Sequence, residues 1–116
     1  MSQSDHSATF DLFHSAILKR QQVTCMYQGL YREICPHILG HRAGMEMALA
    51  YQFGGESSKG LPPGGQWRCL KLEDLKDIKL RDGWWYSGRE HAKTQSCVDE
   101  VFVDVNEDVP NQPGRR

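Results

Sequence analysis

The sequence lacks the features that mark several large classes of protein. No apolar run approaches the roughly 20 residues that span a bilayer, and the opening stretch, MSQSDHSATF, has neither the basic nor the apolar region of a secretory signal peptide. The formal net charge of -1 also lacks the basic excess that binding along a nucleic-acid backbone normally requires. We therefore expect a cytoplasmic protein that does not contact a membrane. The overall charge does not exclude a local basic groove.

Motifs for catalysis and for metal binding are missing too. There is no Gly-x-Ser-x-Gly and no Gly-rich phosphate loop followed by Lys and Ser or Thr. Cys35 and His37 lie two residues apart, which leaves a thiol hydrolase as one alternative, but no third residue is evident to orient the imidazole. We expect no enzyme activity, no catalytic residue, no cofactor and no metal site.

The cysteines form no Cys-x-x-Cys pair, which excludes a zinc ribbon and a thioredoxin-like motif. Because the chain is expected in the cytoplasm, we predict reduced and mostly buried thiols at all four positions, namely Cys25, Cys35, Cys69 and Cys97.

Hydrophobic periodicity predicts one helix followed by about five strands. Apolar residues at three- and four-residue spacings from Phe10 to Ile17 predict a short amphipathic helix, with Ser7 or Thr9 as its N-cap. Alternation then predicts a hairpin whose turn is Gln28-Gly29, with the second arm alternating from Arg32 to Ile38. Further strands are predicted in 45–53, for which a helix is the alternative, in 67–72, in 73–80 and in 97–105.

Strands this short and this closely spaced leave few residues for crossover helices, which favours a mainly β fold with a small barrel and an N-terminal helix. One domain is expected over residues 8–105, between a flexible start at 1–7 and a disordered tail at 106–116. The stretch 54–66 is rich in glycine and proline and is predicted to be a mobile loop.

Several short motifs occur in the order found in one known family. They are Tyr27-Gln28-Gly29, Arg32, Pro36-His37-Ile38-Leu39, Ala50-Tyr51 and the stretch WRCLKLEDL that begins at Trp67. In these motifs the chain resembles the WYL domain, a ligand-sensing module found mainly in bacterial transcription regulators. The resemblance covers residues 16–80 and implies an SH3-like, Sm-related β-barrel with a regulatory role.

The chain departs from the family pattern at three points. Glu46-Met47-Ala48 stands in place of the eponymous Trp-Tyr-Leu, and Leu70 takes the position of an aromatic residue. Asp74 replaces a second arginine. The helical segment is also too short for the helix-turn-helix that those regulators carry, so we expect a stand-alone, divergent domain that does not read DNA sequence by itself.

The resemblance implies a basic ligand groove formed by Arg32, His37 and Arg68. The planar guanidinium of arginine suits a phosphate, and histidine adds a donor that titrates near neutral pH. The alternative is structural. Arg32 would then pair with Glu33 or Glu46 across strands, and His37 would be a partly buried histidine with its hydrogen bonds made.

Tyr27, Tyr51 and Trp67 are candidates for a wall on which a base stacks, with Gln52 adding an amide contact. Aromatic residues at alternating strand positions also suit a core, which is the alternative. Together with the arginines, they predict a non-catalytic sensing module for a nucleotide, another anionic small ligand or single-stranded nucleic acid.

A second hypothesis is a protein-interaction or homodimer module. Trp84, Trp85 and Tyr86 form the densest aromatic cluster of the chain, and exposed Trp and Tyr residues are typical interface anchors. The alternative is that one of the tryptophans closes the end of the barrel.

Overall fold

One helix and six strands form the fold. The computed structural model describes residues 6–56, 60–61, 65–87 and 96–105. Residues 1–5 and 106–116 of the expected termini, and part of the expected loop at 54–66, lie outside that range. Helix α1 (Ala8–Lys19) is followed by strands β1 (Gln22–Tyr27), β2 (Leu30–Arg42), β3 (Met45–Gly55), β4 (Gln66–Lys71), β5 (Leu75–Arg81) and β6 (Glu100–Asp104), with a 3-10 turn at Leu72–Asp74.

Helix α1 has one of its two predicted N-caps. The Ser7 hydroxyl accepts a hydrogen bond from the backbone N–H of Phe10 at 3.1 Å, so Ser7 is the N-cap. At the other end Arg20 adopts a left-handed conformation, and its guanidinium donates to the carbonyls of Ile17 and Val105. Within the described residues, no helix is long and apolar enough to cross a membrane.

The predicted hairpin is confirmed. Strands β1 and β2 pair in antiparallel fashion up to Tyr27 and Leu30, and the turn between them consists of Gln28 (φ 56°) and Gly29 (φ 78°). Two successive positive φ angles define the type I′ turn, whose twist matches that of the flanking strands.

Strand β2 is the centre of the sheet. Along one edge it pairs with β3 from Arg32 to Arg42, and along the other it pairs first with β1 and then, from Ile38 onward, with β6. The register shifts between Pro36 and Ile38, where proline supplies no backbone N–H for the ladder. Alternation predicted from Arg32 to Ile38 is therefore interrupted, and Ile38 does not share the core cluster of Ile34.

The strand order is β4-β3-β2-β1-β5, with β6 beside β2. The predicted mainly β fold with an N-terminal helix is confirmed, with six strands rather than about five. The predicted barrel is not confirmed, because the described strands include no pairing between β4 and β5 that would close it. Only the turn Leu72–Asp74 separates these two strands in sequence, so the sheet curves strongly to bring its two ends together.

Two apolar clusters stabilise the structure. The main core lies between α1 and the sheet and includes Phe10, Phe13, Ile34, Leu39 and Leu70. The second cluster contains Ile38, Met47, Leu49, Cys97 and Val98, with Trp67 packed against it. Residues just before β6 thus cover the side chains of β2 and β3 that the main core leaves out.

One disulfide corrects the prediction of four reduced thiols. Cys69 on β4 is bonded to Cys97, across 28 positions of sequence, whereas Cys25 and Cys35 are free and buried as expected. Cys69 is exposed rather than buried. The strand positions gave no sign of this pairing, because it depends on how the segment before β6 returns to the sheet.

Reducing this disulfide should weaken the fold. Closing a loop of this length restricts the unfolded chain, so we expect reduction or Cys97→Ser to lower the free energy of unfolding by about 3 to 4 kcal/mol. Urea denaturation of the wild type with and without a thiol reductant measures the change. The Cys97→Ser variant is the control, since the reductant should leave its stability unchanged. Equal stability of the oxidised and reduced wild type would contradict the prediction.

Candidate anion-binding site

The predicted binding residues divide between the two faces of the sheet. Trp67 and Arg68 are neighbours in β4, and Tyr51 and Gln52 are neighbours in β3, so the members of each pair point to opposite faces. The contacts agree with this. The Tyr51 and Trp67 rings lie 5.0 Å apart, whereas Gln52 and Arg68 are hydrogen-bonded on the other face. The structure does not bring all the predicted residues into one groove.

Two arginines and a glutamine meet on the core-facing side. Arg32 Nη1 and Arg68 Nε both donate to the side-chain oxygen Oε1 of Gln52, at 3.1 and 2.9 Å. The Arg32 guanidinium also lies over the Tyr27 ring, 5.4 Å from its centroid, in a cation–π arrangement. We call these four residues, Tyr27, Arg32, Gln52 and Arg68, the arginine cluster.

The orientation of Gln52 is fixed by its other hydrogen bonds. Its Nε2 donates to the carbonyls of Gly54 and Glu56 at 2.9 and 3.0 Å, which uses both amide protons and turns Oε1 toward the arginines. Gly55 makes this possible with a φ of 88°, and a Cβ there would collide with the backbone oxygen of Tyr31. The end of β3 thus folds around the Gln52 amide.

Neither arginine of the cluster is neutralised by a carboxylate in the described part of the chain. The ion pairs found there are Arg81 with Glu33 and Lys71 with Glu73. The alternative that Arg32 pairs with Glu33 or Glu46 is wrong, because the Glu33 carboxylate contacts Arg81 and the Glu46 carboxylate binds the N-cap Ser7.

The cluster is also short of hydrogen-bond acceptors. Arg32 is only 4% exposed, and its Nε, together with Nη2 of Arg68, is a buried donor without a partner among the described residues. Buried charges in proteins are normally paired and buried donors normally satisfied. Burial, and then the neighbouring charge of Arg32, lower the pKa of Arg68.

His37 lies outside this cluster. It is 1% exposed, its Nδ1 donates to the carbonyl of Cys35 at 2.8 Å, and its Nε2 contacts the Ser87 hydroxyl at 3.1 Å. The rings of Trp67 and Trp85 each lie 4.9 Å from the imidazole. His37 therefore matches the alternative of a histidine with its hydrogen bonds made, and it is buried more completely than that alternative supposed.

The predicted stacking wall is not assembled. Tyr27 carries Arg32 on its ring, and Tyr51 and Trp67 pack edge to face against each other on the opposite side of the sheet. No single surface presents all three rings to a ligand.

The aromatic segment after β5 contains both exposed and packed side chains. Trp84 is 75% exposed, whereas Trp85 is partly buried against the main core. Tyr86 stacks on Phe53 with ring centroids 4.3 Å apart. Trp84 is thus the residue of this segment that a partner can reach most fully.

The free thiols are poorly suited to nucleophilic chemistry. Burial raises the pKa of both Cys25 and Cys35 to about 11, so each thiol is protonated at neutral pH. The Cys35 sulfur accepts a hydrogen bond from the backbone N–H of Tyr86 at 3.4 Å. The His37 nitrogens contact a backbone carbonyl and Ser87 instead of this sulfur. Among the described residues no group of three or more His, Cys, Asp or Glu side chains is placed to hold a metal ion.

No protein-family profile, curated protein or solved structure matches the chain. The resemblance to the WYL domain therefore depends on the sequence motifs themselves.

Sequence reasoning selected Arg32, Gln52 and Arg68 but missed how they are connected. It treated Gln52 as an added contact to a ligand, whereas the structure makes it the acceptor that both arginines share. The signal that was available is the Gly54-Gly55 pair, separated from Gln52 only by Phe53, since a strand that ends in two glycines can turn its backbone carbonyls back toward a side chain.

Replacing Gln52 with leucine should destabilise the protein. The substitution removes the acceptor of two buried guanidinium groups, so we expect the free energy of unfolding to fall by about 2 to 4 kcal/mol. Gln66→Leu is a matched control, because Gln66 faces Gln52 in the β3–β4 register but is exposed. Urea denaturation of both variants measures the difference. Equal losses in the two variants would show that the Gln52 amide has no special role.

Proposed function

We propose that this protein is a non-catalytic module that binds a small anionic ligand at the arginine cluster. The observation that carries the proposal is the pair of guanidinium groups, Arg32 and Arg68, which share one neutral acceptor and leave buried donors unmatched among the described residues. An arginine buried only for stability is normally paired with a carboxylate, because an uncompensated buried charge is strongly destabilising. An anionic ligand supplies both the charge and the acceptors.

Three residues of the cluster, Tyr27, Arg32 and Arg68, lie within the motifs that resemble the WYL domain, which supports a regulatory, ligand-sensing role of that kind. The short turn between β4 and β5 and the strong curvature of the sheet support an SH3-like, Sm-related architecture. Single-stranded nucleic acid is a weaker candidate as ligand, because Tyr27 is separated from Tyr51 and Trp67 and these three rings form no row for successive bases.

The cytoplasmic location expected from the sequence stays a prediction. The Cys69–Cys97 bond counts against it, since disulfides persist mainly in oxidising compartments and cytosolic examples are usually redox-active.

Inorganic phosphate is a suitable probe of the proposed site. Added to the labelled protein, it should shift the NMR signals of the Nε–H groups of Arg32 and Arg68. Arg68→Gln should weaken phosphate binding by about tenfold or more, because a hydrogen bond to a charged group contributes about 1.5 to 3 kcal/mol. Lys79→Gln changes the net charge equally at an exposed position of β5 and should leave the affinity unchanged.

Two results would overturn this function. One is a set of arginine Nε signals that phosphate does not move at any concentration. The other is an equal loss of affinity in Arg68→Gln and Lys79→Gln, which would indicate general attraction of an anion to a positively charged surface rather than binding at the cluster.

A second candidate function is a protein-interaction or homodimer module, which the 75% exposure of Trp84 favours. A large exposed indole is a typical anchor at the centre of an interface. Light scattering should then show association that increases with protein concentration and is lost in Trp84→Ala. This function would be excluded if the wild type stayed a monomer at all concentrations and bound no partner that the Trp84→Ala variant fails to bind.

A further inference from the structure

The geometry of the arginine cluster points to a ligand with a terminal, doubly charged oxyanion, of the phosphate monoester class, rather than the internal diester of a nucleic-acid chain. This inference depends on the proposed function and narrows its ligand. Three observations lead to it: the number of charges at the site, the arrangement of free donors and the direction of access.

The first observation is the charge of the site. Arg32 and Arg68 each carry a permanent positive charge, because a guanidinium is not deprotonated in proteins. Among the described residues neither is ion-paired, and the shared acceptor Gln52 is neutral. A dianion balances both charges. A diester carries a single negative charge and leaves one buried guanidinium uncompensated, which is costly in a site of low polarity.

The second observation is the arrangement of the unused donors. Arg32 Nη1 and Arg68 Nε contact the same oxygen atom, so their guanidinium groups are close enough for one tetrahedral group to contact both. Arg32 Nε and Arg68 Nη2 are buried and unpartnered in the described part of the molecule. A phosphate monoester presents three terminal oxygens as strong acceptors, whereas a diester has only two such oxygens.

The third observation is the depth of the site. Arg32 is 4% exposed at the inner end, and Arg68 is partly exposed on strand β4, so a ligand enters from the side of Arg68. A terminal group can enter end-on and reach both arginines. A diester is substituted on both sides of the phosphorus, so its second substituent would have to be accommodated beside Gln52, which is 0% exposed.

Three small probes distinguish the effect of the ligand's charge from the effect of substitution on both sides of the phosphorus, in the unmodified protein at pH 7.5. Methyl phosphate is terminal and mainly doubly charged, since the second pKa of a phosphate monoester is about 6. Methyl sulfate is terminal and singly charged, and dimethyl phosphate is substituted on both sides and singly charged. Titrations followed by the Nε–H signals of Arg32 and Arg68 should give a dissociation constant for methyl phosphate at least about tenfold below those of the other two.

The outcomes distinguish this inference from the function on which it depends. Equal binding of dimethyl phosphate and methyl phosphate would overturn the monoester class and indicate a diester ligand, while the anion site itself would stand. Equal binding of methyl sulfate would show that the second charge is irrelevant and would also overturn the inference. If none of the three probes moves the arginine signals, the proposed function fails as well.

Two variants test the role of the second guanidinium. Arg68→Gln leaves one cation at the site, so the preference for methyl phosphate over methyl sulfate should largely disappear even where weak binding remains. Arg68→Lys restores the charge without the planar donor pair and should recover part of that preference. A dispersed amide spectrum of each variant shows that it is folded. An unchanged preference in Arg68→Gln would contradict the assignment of the dianion to this arginine pair.

Discussion

Backbone hydrogen bonds of the long strand β2 hold three other strands in the sheet, and the rest of the structure depends on this ladder. The change of partner from β1 to β6 coincides with the register shift at Pro36–Ile38. One extra residue in a strand reverses the face to which the following side chains point. The shift therefore places Leu39 in the main core and Ile38 in the second cluster. Arg32 precedes the register shift and faces the main-core side of the sheet. His37 lies between Pro36 and Ile38, where the register shifts, and is separate from the arginine cluster.

Much of the fold follows from local patterns in the sequence. The spacing of apolar residues and the N-cap Ser7 predict α1, and the Gln28-Gly29 turn predicts the hairpin, because both depend on neighbouring residues. Period two also places Arg68 on the same face of β4 as the core residue Leu70. The failures are long-range. Neither the partner of β6 nor the Cys69–Cys97 bond is encoded in a short window, since each depends on two distant segments meeting in space.

The division of the predicted site has the same origin. Arg32 and His37 are five positions apart, an odd number that separates their faces in a regular strand. A proline in a central strand indicated an irregularity, but its effect on the facing of His37 depends on where β3 shifts register. In the structure the imidazole contacts Ser87 and the rings of Trp67 and Trp85. The sequence could supply the candidate residues but not their grouping.

In the arginine cluster, Gln52 satisfies hydrogen bonds in four directions, but its neutral amide does not balance the charges of the two arginines. Gln52 must donate to the carbonyls of Gly54 and Glu56 and accept from Arg32 and Arg68 at the same time, and a neutral amide can do both. A carboxylate at this position would balance one of the two positive charges but would lose both donors. Among the described residues, the fold therefore fixes the positions of two cations without supplying a carboxylate that pairs with either of them. An anion that bound only the folded state at this position would raise the free energy of unfolding by mass action, because it would supply the missing counter-charge.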